Sequence, residues 1–177
     1  RRAARRAAAG FSSLGIREGD RIAFWLPNTP AYLIAYFASA QLGAIAVAVN
    51  TRYRAKEVAD IVSRSGAKTM ILWPNFRGID FLTILEEIPP TALERLETLI
   101  LYSEGPQQPD VPRLIQGKPV RSWEELTDMA PYMYDKGTPI HGCNMFTTSG
   151  TTSAPKFVLH NQRSIVAHAN ELWSNMT

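Results

Sequence analysis

The residues best equipped for chemistry lie together between Thr147 and Lys156, in the string TTSGTTSAPK. Thr147, Thr148, Ser149, Thr151, Thr152 and Ser153 supply hydroxyls, Gly150 lets a ligand approach the backbone, and Lys156 supplies a mobile cation. Hydroxyls and successive backbone N–H groups can surround phosphate oxygens while a lysine neutralises their charge, so the implied chemistry is phosphate binding. A Walker P-loop is excluded, because it needs glycine before the lysine, Ser or Thr after it, and a helix starting at the phosphate. Here Pro155 precedes Lys156, Phe157 follows it, and the flanking runs 144–147 and 157–160 read as strands. On composition alone, a Ser/Thr-rich hairpin loop without a ligand stays open as the alternative.

The other polar candidates are weaker. His160 and His168 can share a helix face with Ser164 between them, but no third ligand follows at a useful spacing, so no metal site is expected. His141 and Cys143 precede the loop without an evident partner. Asn161 reads as the N-cap of a helix whose buried stripe is Ile165, Ala169, Leu172 and Trp173. Ser122 and Glu125 form a capping box that starts a short helix at Trp123, which makes Glu124 and Glu125 partners of the helix dipole, not an acid/base pair.

The elements that must hold the loop alternate in type. Residues 1–14 form an amphipathic helix with Arg1, Arg2, Arg5 and Arg6 on one side and Ala4, Ala7, Ala8, Phe11 and Leu14 on the other. A strand is expected within 20–27. A helix follows from Pro30, with Thr29 as N-cap and Gly43 as its stop, and then a strand over 44–49. The pattern continues with a helix over 55–65 ending at Gly66, a strand over 69–73, a helix over 79–88 stopped by Pro89 and Pro90, and a strand over 98–102. Residues 103–120, rich in proline and glycine, read as a surface excursion. Such alternation specifies an α/β fold, a mostly parallel, doubly wound sheet with flanking helices.

A chain of 177 residues can bury one good core, and with 45% hydrophobic and 20% charged residues it has the composition of a folded domain. Its net charge of +3 is more than accounted for by the four arginines of the first six residues, so nucleic acid is not the expected partner. The single cysteine, Cys143, allows no intrachain disulfide and fits a reducing, cytoplasmic setting. A chain that begins with Arg inside a helix is expected to have been cut or trimmed. The nearly uncharged run 30–49 has the length of a membrane span, yet its internal cap, glycine stop and β-branched second half predict a buried helix and strand instead.

The loop resembles the signature phosphate loop of the adenylate-forming superfamily, which usually reads TSGTTGxPKG; Thr148, Ser149, Gly150, Thr151, Thr152, Pro155 and Lys156 match in register. The stretch LGIREGDRIAFWLPNTPAYLIAYFASAQLGAIAVAVNTRYRAKEVADIVSRSGAKTMI is similar to that family's N-terminal pattern as well. Ser153 and Phe157 depart from it, standing where glycines are usual. The resemblance implies that residues 1–177 are the N-terminal part of an AMP-binding (adenylation) domain, with the C-terminal domain absent. It implies an acyl-CoA synthetase of fatty acid metabolism whose co-substrates are a carboxylic acid, ATP with Mg2+, and coenzyme A. Such enzymes form an acyl-AMP, release pyrophosphate and pass the acyl group to a thiol. Thr148, Ser149, Gly150, Thr151, Thr152, Ser153 and Lys156 are then the expected phosphate-binding set, with Lys156 the catalytic cation, and these residues alone are expected to be inactive. Loading of a carrier protein and a non-catalytic phosphate-binding module are the rival readings.

Overall fold

From Ile22 onward β1 (Arg21–Trp25) is continuously apolar and buried, as a strand covered on both faces must be. It lies inside one sheet of order β5-β6-β4-β3-β1-β2-β7-β8, in which β2 (Ile45–Ala48), β3 (Thr69–Leu72), β4 (Thr98–Leu101), β6 (Lys118–Ser122) and β7 (Gly142–Thr148) run parallel to it. Among the described residues, only the outer strands β5 (Leu114–Ile115) and β8 (Lys156–Asn161) are antiparallel. The computed structural model describes residues 1–104, 112–148 and 155–176.

Successive side chains of β1 go to opposite cores. Ile22 and Phe24 pack with α1 (Arg2–Ser13), α2 (Pro30–Leu42) and α5 (Trp123–Thr127). Ala23 and Trp25 pack with α3 (Ala55–Ser65) and α4 (Phe81–Glu86). Strand order explains the split: β1 to β2 steps one way along the sheet and β2 to β3 to β4 the other, so crossovers of one hand place their helices on opposite faces. Both faces of the central strands are thereby sealed.

The local signals for α2 and α3 act as expected. Thr29 Oγ1 accepts from Tyr32 N at 3.3 Å, Pro30 opens α2, and Gly43 closes it at φ 73°. Gly66 closes α3 at φ 62°. The run 30–49 is therefore helix then strand, and no helix among the described residues is long and apolar enough to cross a membrane.

Three expectations need correction. The helix read over 79–88 is shorter, because Asp80 accepts from Leu82 N and Thr83 N and so starts α4 at Phe81. The excursion at 103–120 contains sheet: β5 and β6 form a hairpin about Gln116 (φ 52°) and Gly117 (φ 72°), and β6 extends the parallel sheet beside β4. Pro119 is tolerated because the pairing of β6 with β4 begins only at Val120. Gln116 accepts its left-handed backbone while its amide donates to Leu85 O, Glu86 O and Ile88 O at the end of α4. Finally, α6 (Gln162–Met176) is capped by Asn161, whose Oδ1 accepts from Ser164 N at 2.8 Å, but it buries no residue. Leu172 and Trp173 are exposed rather than buried.

Candidate functional site at the carboxyl edge of the sheet

In an open parallel sheet, ligands bind outside the carboxyl ends of the strands, where neighbouring crossovers diverge to opposite faces. β1 sends its following helix to one face while β2 and β3 send theirs to the other, and a crevice of about 930 Å³ opens at this edge. Its walls are Asn28 and Thr29 after β1, Asn50 and Tyr53 after β2, Arg77 after β3, and Thr147 near the end of β7. The lining is mostly neutral amide, hydroxyl and ring, with Arg77 and Glu104 as charged members.

Arg77 holds a left-handed backbone at φ 54° and lays its guanidinium 5.3 Å from the Phe76 ring centroid. A non-glycine residue in that region carries a conformational cost, which is often found at functional positions. Tyr102 donates to Glu104 Oε1 at 2.7 Å, and burial, then that bond, holds its hydroxyl in the neutral form well above the ordinary range. Burial raises Tyr32 likewise. These phenols keep their proton and can donate hydrogen bonds at neutral pH.

The strands that flank the expected phosphate loop meet the edge of the sheet beside this crevice. β7 and β8 pair antiparallel, with Thr147 opposite Phe157 and Thr148 opposite Lys156. Thr148 and Lys156 are thus the two ends of the loop, both exposed, with the Thr148 hydroxyl 3.5 Å from Lys156 O. Ser149, Gly150, Thr151, Thr152 and Ser153 lie outside the described residues. Thr147 Oγ1 is 3.5 Å from Tyr53 OH, which links β7 to the crevice wall formed after β2. Sequence reasoning had no local signal for Tyr53 or Arg77.

The remaining candidates separate. His160 sits on β8, with its ring 5.7 Å from that of Phe146, while His168 is on α6, so they share no helix face. His141 and Cys143, without evident partners in the sequence, acquire them from distant elements. His141 Nε2 is 3.1 Å from Glu18 Oε1, and Cys143 contacts Tyr36 OH at 3.6 Å and donates to His160 O at 3.5 Å. Burial, then the Cys143 contact, raises Tyr36. Among the described residues no group of three His, Cys, Asp or Glu could hold a metal ion.

The family model described as AMP-binding enzyme matches residues 1–177. The chain is 31% identical to the mitochondrial medium-chain acyl-CoA ligase ACSF2 of Rattus norvegicus, over 93% of this chain and 28% of that protein. It is 30% identical to the long-chain-fatty-acid–CoA ligase FadD13 of Mycobacterium tuberculosis, over 97% of this chain and 30% of that protein. The crystal structure of the anthranilate CoA ligase AuaEII in complex with anthranoyl-AMP superposes with a TM-score of 0.75 over 92% of this chain and 29% of that one. At 24% identity that likeness carries the fold alone. The chain spans less than a third of the length of these proteins.

Proposed function

This chain belongs to the AMP-binding enzyme family, and from that premise we propose that it is the N-terminal part of an ATP-dependent, AMP-forming acid–CoA ligase. In the whole enzyme a substrate carboxylate attacks the α-phosphate of MgATP, pyrophosphate leaves, and the acyl group passes from AMP to the thiol of coenzyme A. The observation that carries the reading is where the two ends of the TTSGTTSAPK string lie, with Thr148 paired to Lys156 at the carboxyl edge and Thr147 in the crevice wall.

Within that reading Thr148, Ser149, Thr151, Thr152 and Ser153 donate to the β- and γ-phosphates, and Gly150 permits their close approach. Lys156 neutralises the charge that develops on the departing pyrophosphate. This is positioning and electrostatic stabilisation, which suits a reaction whose leaving group gains charge. The magnesium ion enters with its nucleotide as part of the substrate, consistent with a cation that keeps several waters and binds mainly through phosphates. Likeness to acyl-CoA ligases favours coenzyme A over a carrier protein as acceptor.

Titration calorimetry of the 177-residue chain with MgATP and with magnesium pyrophosphate tests the loop. Wild type is expected to bind both, and Lys156→Ala to bind about ten- to a hundredfold more weakly, the usual worth of a charge-assisted contact. Equal heats from the two proteins, or none from wild type, would count against the assignment. Pyrophosphate exchange by the isolated chain is expected to be absent, since it spans only 28–30% of the ligases it resembles.

A further inference from the structure

Arg64, in the last turn of α3, binds the far limb of the loop in two ways. One guanidinium nitrogen donates to Pro155 O at 2.9 Å, and the guanidinium carbon lies 4.7 Å from the centroid of the Phe157 ring. The same nitrogen meets Asp60 Oδ2 at 2.8 Å, one turn back on α3, which holds the guanidinium in place. Pro155 and Phe157 are half-buried, and Phe157 packs against the core beneath α3. Lys156, between them, is exposed.

We propose that Arg64 is the positioning residue of the loop's C-terminal limb, gripping Pro155 and Phe157 so that Lys156 is presented on the open side of β8. The physical basis is the two-residue period of a strand: fixing Phe157 inward fixes Lys156 outward. An exposed Arg–Asp pair by itself contributes little, so the worth of the Arg64–Asp60 pair lies in aiming the guanidinium. Phe157 stands where the superfamily usually has glycine, and a glycine would leave Arg64 no ring to cover. The ring and the arginine therefore form one device, placed so that helix α3 steers a residue 92 positions away in the chain. The inference rests on the reading of the loop as a phosphate site, but the grip itself can be tested without any ligand.

Hydrogen exchange of the amides of residues 156–158, with those of β1 as internal reference, reads the grip directly. Arg64→Ala is expected to speed exchange at 156–158 about five- to tenfold and leave β1 unchanged, while Arg64→Lys, which keeps a cation and a donor, recovers part of the protection. Phe157→Gly added to Arg64→Ala should have less than its separate effect, as for residues that act together. Calorimetry with magnesium pyrophosphate should show Arg64→Ala weakened about three- to tenfold. Unchanged exchange at 156–158, acceleration shared equally by β1, or, where both bind pyrophosphate, a wild type that binds it no more tightly than Arg64→Ala overturns the proposal. Localised acceleration in a chain whose wild type binds no pyrophosphate upholds the grip and overturns the phosphate reading instead.

Discussion

The strands β3, β1 and β2 and the strands β7 and β8 belong to one sheet yet differ in their surroundings. Around β1 both faces are sealed, and Ile22, Phe24 and Trp25 have no exposed area. Around β8 and α6, apolar residues such as Leu159, Val166 and Leu172 stand more than half exposed. The first region is closed by its own crossovers, whereas the second carries apolar surface that the described residues leave uncovered. Thr148 and Lys156, the paired ends of the TTSGTTSAPK string, lie in the second. Tyr53 and Arg64, which flank and end the helix lying over the sealed core, contact Thr147 and Pro155 near the two ends of that string.

Paired substitutions test this contrast. Trp25→Ala removes a side chain that stacks edge-on against Phe81 at 4.5 Å and donates to Asn50 O at 3.2 Å. It should cost about 3–5 kcal/mol in denaturant unfolding, while Leu172→Ala should stay within about 0.5 kcal/mol. Similar losses at the two positions would erase the distinction.

The N-caps give a gentler comparison. Thr29→Ala should lower global stability by about 1 kcal/mol, because α2 unfolds only with the core. Asn161→Ala removes an equivalent bond from α6, and its loss should appear as faster exchange in the first turn of α6, with the global midpoint nearly unmoved. Equal shifts in the two midpoints would mean that α6 is as firmly integrated as α2.

A smaller effect is expected from Asp80, whose carboxyl is held below its ordinary value by Thr83 N–H, the Thr83 hydroxyl and Leu82 N–H. A lowered folded-state value means stability that is present above the unfolded value of about 3.9 and lost as pH falls through the folded one. The stability difference between wild type and Asp80→Asn should therefore shrink from about pH 5 to about pH 3. A difference that stays constant over that range would detach the cap from the acid behaviour of the sealed region.

What was legible in the sequence depended on how local its cause was. Thr29, Pro30 and Gly43 mark α2 because a cap, a fixed φ and a left-handed stop act within a few residues. The Ser122–Glu125 box is legible for the same reason, with its two bonds at 3.1 and 3.2 Å. The strand β6 was not, because proline and glycine suggest a loop unless the neighbour is known, and β4 is the neighbour that decides it. The stripe of α6 was read correctly as apolar and wrongly as buried, since periodicity reports a face but not what covers it.

By itself the sequence determined the alternation of elements and the family, because each rests on residue type and spacing within short windows. Only the tertiary structure decided that Thr147 borders the crevice, that Tyr53 and Arg64 reach Thr147 and Pro155, and that His160 and His168 stand apart. Those relations join residues up to 94 positions apart, and strand order and crossover direction alone bring them together.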